Sequence, residues 1–278
     1  MKIFHSIKKF IDSEVKIDSF IPTMGNLHDG HLSLITESKK HSEKSCVSIY
    51  INGDQFTDVK DFENYPKTIE EDIKKLEKIK VNYLLIPDKN DIENFSKPFD
   101  INLEPKKITN DMCGKYRPGH FLAVMDIMHR FIQIVKPKNI ILGEKDYQQV
   151  MVIKELINIY NYDISVITSP TVRNKNGLAL SSRNNFLLDN EEKFACDIYH
   201  ALLSAKIMFE NNIPVEEIID NVNKLFINSH VNIEYFTIRD VKTLQHSYDN
   251  DLIALIAGHL GEVRLIDNMI IKSSHNNK

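Results

Sequence analysis

Residues 21–31 read Ile21-Pro22-Thr23-Met24-Gly25-Asn26-Leu27-His28-Asp29-Gly30-His31, and the fold turns on them because their pattern changes twice in one short run. An apolar stretch at 19–23 predicts a buried strand, Gly25 and Gly30 bound a turn, and Leu32, Leu34 and Ile35 predict a helix over 31–41. A strand that feeds a helix through a tight turn opens a βα unit. The same turn sets His28 and His31 on one helix face, since residues three apart are neighbours there. A helix start offers free backbone N–H groups and the positive end of the macrodipole, so the ligand expected at this point is a phosphate chain.

Downstream the alternation continues. The β-branched run 45–52 reads as a covered parallel strand. Ile69, Ile73, Leu76 and Ile79 predict a helix over 68–80, with Thr68 as N-cap, Glu71 completing a capping box, and Glu71 and Asp72 on an exposed face. A strand at 81–87 follows, then a less regular loop region at 88–119. Phe121, Val124, Met125, Met128, Phe131, Ile132 and Val135 fall at offsets 0, 3, 4, 7, 10, 11 and 14, a helix stripe facing a core. Strand (139–143), helix (148–160) and strand (164–168) complete the pattern. Such alternation argues for a parallel sheet wrapped by helices. Past Pro170 the pattern changes to a loop rich in Asn, Gly, Ser and Arg at 173–185, a helix opened by Asp189 with Glu192 three residues on, and a second helix near Pro214. Strands at 231–239, 252–257 and 262–266 close the chain, and the polar stretch 273–278 reads as a frayed tail.

With 278 residues and 42% hydrophobic content, the chain can bury a substantial core. Its 35 basic and 39 acidic residues give a formal charge of -4, which argues against a dedicated nucleic-acid binder and for small-molecule chemistry. Cys46, Cys113 and Cys196 match no metal or redox spacing and read as buried thiols. Lys8, Lys9 and Asp12 interrupt the apolar residues of the first 14 positions, so no signal peptide is expected, nor is any stretch of membrane-spanning length. The expectation is a soluble, cytoplasmic protein with no membrane or nucleic-acid partner.

Gly25-x4-Gly30 and Gly114-x4-Gly119 have Walker A glycine spacing, but His31 and His120 follow where Lys and Ser/Thr are needed. His28-x-x-His31 also lacks the spacing and the Glu of a zinc protease. Four further polar clusters stand out: Asn52-Gly53-Asp54-Gln55 and Gly143-Glu144-Lys145-Asp146-Tyr147-Gln148-Gln149 at predicted strand ends, Arg117-Pro118-Gly119-His120 before the long helix, and Leu180-Ser181-Ser182-Arg183-Asn184 near the change of pattern. Carboxyl ends of strands are where open α/β sheets place their sites. Hydroxyls and a guanidinium in a loop offer donors to phosphate oxygens.

Together these motifs resemble the pantothenate synthetase (pantoate-β-alanine ligase) family of the HxGH nucleotidyltransferase superfamily, over about residues 20–268. The chain departs from the family pattern at Asn26 for Ala, Asp29 for Glu, Gly53 for Pro and Leu180 for Met. The resemblance implies an α/β fold, with a Rossmann-like parallel sheet and helices on both faces over 1–172 and a smaller C-terminal α+β lid domain over 173–278. It implies ATP-dependent condensation of pantoate with β-alanine through a pantoyl adenylate, releasing AMP and pyrophosphate, with Mg²⁺ on the ATP phosphates. His31 as proton donor, His28 and Lys145 are the implied catalytic residues. ATP would lie along Met24, Gly25, Asn26, Leu27, His28, Asp29, Gly30 and His31, and against Gly143, Glu144, Lys145, Asp146, Val172, Leu180, Ser181, Ser182 and Arg183. Gln55 and Gln149 would bind pantoate, and Gln55 β-alanine as well. A homodimer is implied by resemblance only. The alternative is another nucleotidyltransferase of the superfamily, which would need a cationic clamp for a second phosphate where this chain offers two glutamines.

Overall fold

The computed structural model describes residues 1–188, 190–248 and 250–272. The chain divides into two compact units, one of Met1–Glu144 with Gln149–Pro170, the other of Lys145–Gln148 with the chain from Thr171 onward. The charged turn at 145–148 therefore groups with the second unit, although its position in the sequence lies within the first.

In chain order the first unit opens with β1 (Lys2–Phe4), α1 (Ile7–Asp12), β2 (Ser19–Thr23), α2 (Asp29–His41) and β3 (Ser45–Ile49). Then come α3 (Val59–Glu63), α4 (Ile69–Lys78), β4 (Tyr83–Leu85), α5 (Lys89–Phe95), α6 (Lys106–Thr109) and α7 (Cys113–Tyr116). It closes with α8 (His120–Val135), β5 (Asn139–Gly143), α9 (Tyr147–Ile159) and β6 (Ser165–Ser169). Segment 88–119, expected to be irregular, thus holds three short helices, too brief to show a helical period in sequence.

The six strands form one parallel sheet in the order β1-β4-β3-β2-β5-β6. Ile21, Val47, Leu84 and Ile141 bury one face with Leu34 and Ile35 of α2 and Leu76 of α4. Side chains alternate across a strand, so Phe20 faces the other side, where its ring lies 5.4 Å from that of Phe131 in α8. The seven residues of the predicted α8 stripe are all buried. Order reverses at β2, with β3 and β4 on one side and β5 and β6 on the other, which is the switch point where open α/β sheets bind ligands. Pro22 helps open that crevice. The β2–β5 ladder stops at Phe20↔Ile140, two residues before a proline that has no N–H to continue it.

In the second unit α10 (Glu192–Ala195), α11 (Asp197–Glu210) and α12 (Val215–Leu225) precede an antiparallel sheet of β7 (Val231–Asp240), β8 (Leu252–Leu260) and β9 (Val263–Lys272). Ile198, Ala201, Leu202 and Ala205 of α11, with Ile218 and Val222 of α12, share one core with Ile238, Ala254, Ile256 and Leu265 of the sheet. Asp189, expected to open a helix, and the tail at 273–278 lie outside the described residues. Glu192, at the start of α10, accepts from Asn174 Nδ2 through Oε1 at 2.6 Å. Cys46, Cys113 and Cys196 are buried thiols. Among the described residues no helix is long and apolar enough to cross a membrane.

Candidate functional site

The turn after β2 lies at the carboxyl edge of the sheet, at its switch point. Gly25 has φ +83° and Asn26 φ +49°, two successive residues in the left-handed region, where glycine carries no penalty and asparagine is among the better-tolerated residues. The turn delivers the chain into α2 with His28 as N-cap. The caps are imidazoles: His28 Nδ1 accepts from Gly30 N at 3.1 Å, and His31 Nδ1 accepts from His28 N at 3.3 Å. The arrangement is that of a capping box with histidines in both roles. Both rings are half-buried, with centroids 4.1 Å apart. Asp29, the first residue of the helix, is exposed and acidic where the macrodipole favours an acid.

Behind the turn stands a residue that sequence reasoning placed on an exposed face. Asp72 of α4 is fully buried, with one carboxylate oxygen accepting from Asn26 N and the other from Leu27 N, each at 2.8 Å. Thr68 does not cap α4 with its side chain; its hydroxyl donates to Asp72 Oδ2 at 3.2 Å, so the predicted Thr68/Glu71 capping box does not form. One turn on, Lys75 Nζ donates to Leu27 O at 2.7 Å. A Cβ added at Gly25 would lie 3.1 Å from Asp72 Oδ2, so carboxylate and turn fit each other closely. A sequence signal was available: Ile69, Asp72, Leu76 and Ile79 fall at offsets 0, 3, 7 and 10, which sets a carboxylate within an apolar stripe.

Gln55 sits at the end of a 3₁₀ turn, Gly53–Gln55, that follows β3. Its carbonyl is held by His120 Nδ1 at 2.7 Å and Arg117 Nη2 at 3.1 Å, and Arg117 Nη1 lies 3.1 Å from His120 Nε2. His120 is buried and serves as an anchor for the Gln55 turn. The Gln55 side chain reaches Met24 Sδ through Nε2 at 2.8 Å, and its Oε1 accepts from Asn52 Nδ2 at 3.4 Å. Gln55 and the turn that follows β2 are thus brought into contact. At Gly53 a Cβ would meet the Phe62 ring at 3.2 Å, so Phe62 packs closely against this turn.

At the end of β5, next to β2 in the sheet, Gly143 leads into a 3₁₀ turn, Glu144–Asp146. Glu144 Oε1 accepts from Thr168 Oγ1 at 2.8 Å. Gln149 is half-buried in the first turn of α9, beside the buried Gln148. Within the second unit Lys145 Nζ lies 3.9 Å from Asp146 Oδ1, and the Lys145 carbonyl accepts from Asn268 Nδ2 at 2.9 Å. Val172 and Leu180 meet across a small hairpin, Leu180 N donating to Val172 O at 2.9 Å. Ser181 caps the following 3₁₀ turn, Ser182–Phe186, accepting from Arg183 N at 3.3 Å. Lys145, Ser181 and Asn184 line one narrow pocket with Arg264 and Asp267. Arg173, which the sequence did not single out as a site residue, pins this region. It pairs bidentately with buried Asp267, donates to Gly177 O at 3.1 Å, and lies over the Tyr199 ring at 4.7 Å. Burial pushes the Asp267 carboxyl upward against the pull of the Arg173 guanidinium.

A family model described as Pantoate-beta-alanine ligase matches residues 2–270. Pantothenate synthetase from Marinomonas sp. (strain MWYL1) is 37% identical over 282 residues, covering 98% of this chain and 100% of that protein. That from Thermosipho africanus (strain TCF52B) is 38% identical over 280 residues, covering 98% and 100%. Among solved structures, pantothenate synthetase from Thermus thermophilus superposes with a TM-score of 0.91 at 29% identity, covering 98% of this chain and 99% of that one. Pantoate-beta-alanine ligase from Francisella tularensis, complexed with beta-gamma ATP and beta-alanine, gives a TM-score of 0.80 at 33% identity, covering 99% of each chain.

Proposed function

The chain belongs to the pantoate-β-alanine ligase family, and from that premise we propose that it joins pantoate to β-alanine at the expense of ATP, through a pantoyl adenylate. In the first step a pantoate carboxylate oxygen attacks the α-phosphorus, and the bond to pyrophosphate breaks. In the second the β-alanine amine attacks the acyl carbon, an amide forms, and AMP leaves. The observation that carries the reading is the contact between Gln55 and Met24. It sets the proposed pantoate residue against the proposed ATP turn, the adjacency that carboxylate attack on a phosphorus requires.

The roles follow from what each group can do. His28 and His31 donate hydrogen bonds to the phosphate chain, and ATP follows the backbone from Met24 to His31, with Gly143, Glu144, Asp146, Val172 and Leu180 as further contacts. Lys145 and Arg183 offset the negative charge that spreads over oxygens in the transition state, and Ser181 and Ser182 add hydroxyl donors. Gln55 and Gln149 hold pantoate through neutral hydrogen bonds, and Gln55 also meets β-alanine. Mg²⁺ travels with ATP, whose phosphates supply many of its ligands. The Asp72 oxygens are taken by the amides of Asn26 and Leu27 and by the Thr68 hydroxyl, so Asp72 is assigned no part in holding the ion. We assign the enzyme to the cytoplasm and to a homodimer by family likeness. The test is product stoichiometry: with ATP, pantoate and labelled β-alanine, pantothenate, AMP and pyrophosphate form in equal amounts. Release of ADP and phosphate instead would contradict the reading.

A further inference from the structure

Sequence position and packing disagree at one place in the chain. Glu144 and Gln149 belong to the first unit, while the four residues between them group with the second. Two hydrogen bonds hold this turn there. The Tyr147 hydroxyl donates to the Val241 carbonyl, just past β7, at 2.9 Å, and Asn268 Nδ2 of β9 donates to the Lys145 carbonyl at 2.9 Å. A carbonyl can only accept, so the Asn268 amide has to present its nitrogen at this point. Asn268 is buried, which shields the bond from water. It also lies well inside the β8–β9 ladder, opposite Leu255, so the donor stands on a paired strand.

The residue before it grips a second segment. Asp267 takes the Arg173 guanidinium bidentately, and the Asn268 carbonyl accepts from Arg173 Nη2 at 3.3 Å. Arg173 bridges Ala179 across the hairpin in which Leu180 N donates to Val172 O at 2.9 Å. Two consecutive residues of β9 therefore fasten two segments that are remote in sequence, the Lys145 turn and the hairpin of Val172 and Leu180. Lys145, Ser181 and Asp267 line one narrow pocket as a result.

We propose that Asn268 is a positioning residue for Lys145, and that Asp267-Asn268 is a clasp that sets the cationic turn and the hairpin in one arrangement around the nucleotide. Asn268 touches no reacting atom; it acts through the backbone of Lys145. A lysine stem is flexible, so its ammonium is placed only as well as the backbone that carries it. The ligand in this statement rests on the family reading above, whereas the clasp rests on hydrogen bonds within the second unit alone.

A double-mutant cycle on the full chain separates positioning from a merely structural part. N268L removes the donor, and K145Q removes the ammonium while keeping the backbone carbonyl. Two quantities are read: pantoate-dependent exchange of labelled pyrophosphate into ATP at saturating substrates, and the ATP dissociation constant by calorimetry. N268L should slow exchange roughly tenfold in the wild-type background and less than about twofold in the K145Q background, with KM for pantoate unchanged. The ATP dissociation constant should rise about threefold, with the same dependence on Lys145. N268D keeps the shape of the side chain and also lacks the donor, so the same pattern is expected, and whichever variant keeps its thermal midpoint is the one read. Wild-type exchange in the folded variant, or an equal fall with and without the Lys145 ammonium, overturns the clasp. Wild-type chain that binds ATP without pantoate-dependent exchange sinks the pantoate reading, and the clasp is then decided by the cycle on ATP affinity. A chain that binds no ATP overturns both.

Discussion

Asp72 accepts from two adjacent backbone amides of the turn between β2 and α2 from inside the protein. Asp72→Asn swaps one accepting oxygen for an NH₂ group that faces an N–H. It is expected to cost about 1–3 kcal/mol of stability in denaturant unfolding and to raise KM for ATP more than it lowers kcat. Unchanged stability and KM would remove the clamp from the account. The carboxylate escaped sequence reading because an acid in a helix's first turn already has an ordinary home near solvent and the dipole, and the amides that claim it are 45 and 46 residues away. The placement of His28 and His31 at a helix start, by contrast, was legible because the strand, turn and helix that set it are consecutive in the sequence. A second single-residue effect belongs to His129, buried in α8 with Nδ1 2.9 Å from the Tyr162 hydroxyl. Burial holds its pKa below the ordinary value of about 6.5, against the upward pull of Asp126 and with a smaller push from Arg130. A folded pKa below the unfolded one means that stability is fully present above the unfolded value and is lost as pH falls toward the folded one. The thermal midpoint should therefore decline as pH drops below about 6.5, and His129→Gln should flatten that slope; equal slopes would contradict it.

Elements were legible where a local apolar pattern specifies them. The runs at 19–23 and 139–143 became strands, the run at 45–52 became a strand over its first five residues, and the stripe from Phe121 to Val135 became one buried helix face. The short helices at 89–116 were not, since a helix of one or two turns shows no clear period. Nor was the hairpin at 173–180, whose composition reads as a loose junction. It is fixed by a long-range ion pair: Arg173 reaches Asp267, 94 residues on, in β9. Arg173→Ala would leave Asp267 buried without its cation and should cost about 3–5 kcal/mol. Calorimetry or denaturant unfolding should register the loss in the second unit; a loss under about 1 kcal/mol would show that Asp267 finds another partner.

At the scale of the whole molecule, acidic balance, sheet order and the family match converge on small-molecule chemistry at a switch point. The proposed assignment of residues to substrates rests chiefly on motif likeness, because neutral glutamines such as Gln55 and Gln149 declare no ligand by charge. The central claim is that pantoate is adenylated before the amine is needed. The most direct measurement is exchange of labelled pyrophosphate into ATP by the folded protein with Mg²⁺ and pantoate present and β-alanine absent. The account predicts pantoate-dependent exchange, suppressed when His31 is replaced by alanine. Folded protein that forms pantothenate with all substrates yet shows no exchange without β-alanine would contradict the adenylate route.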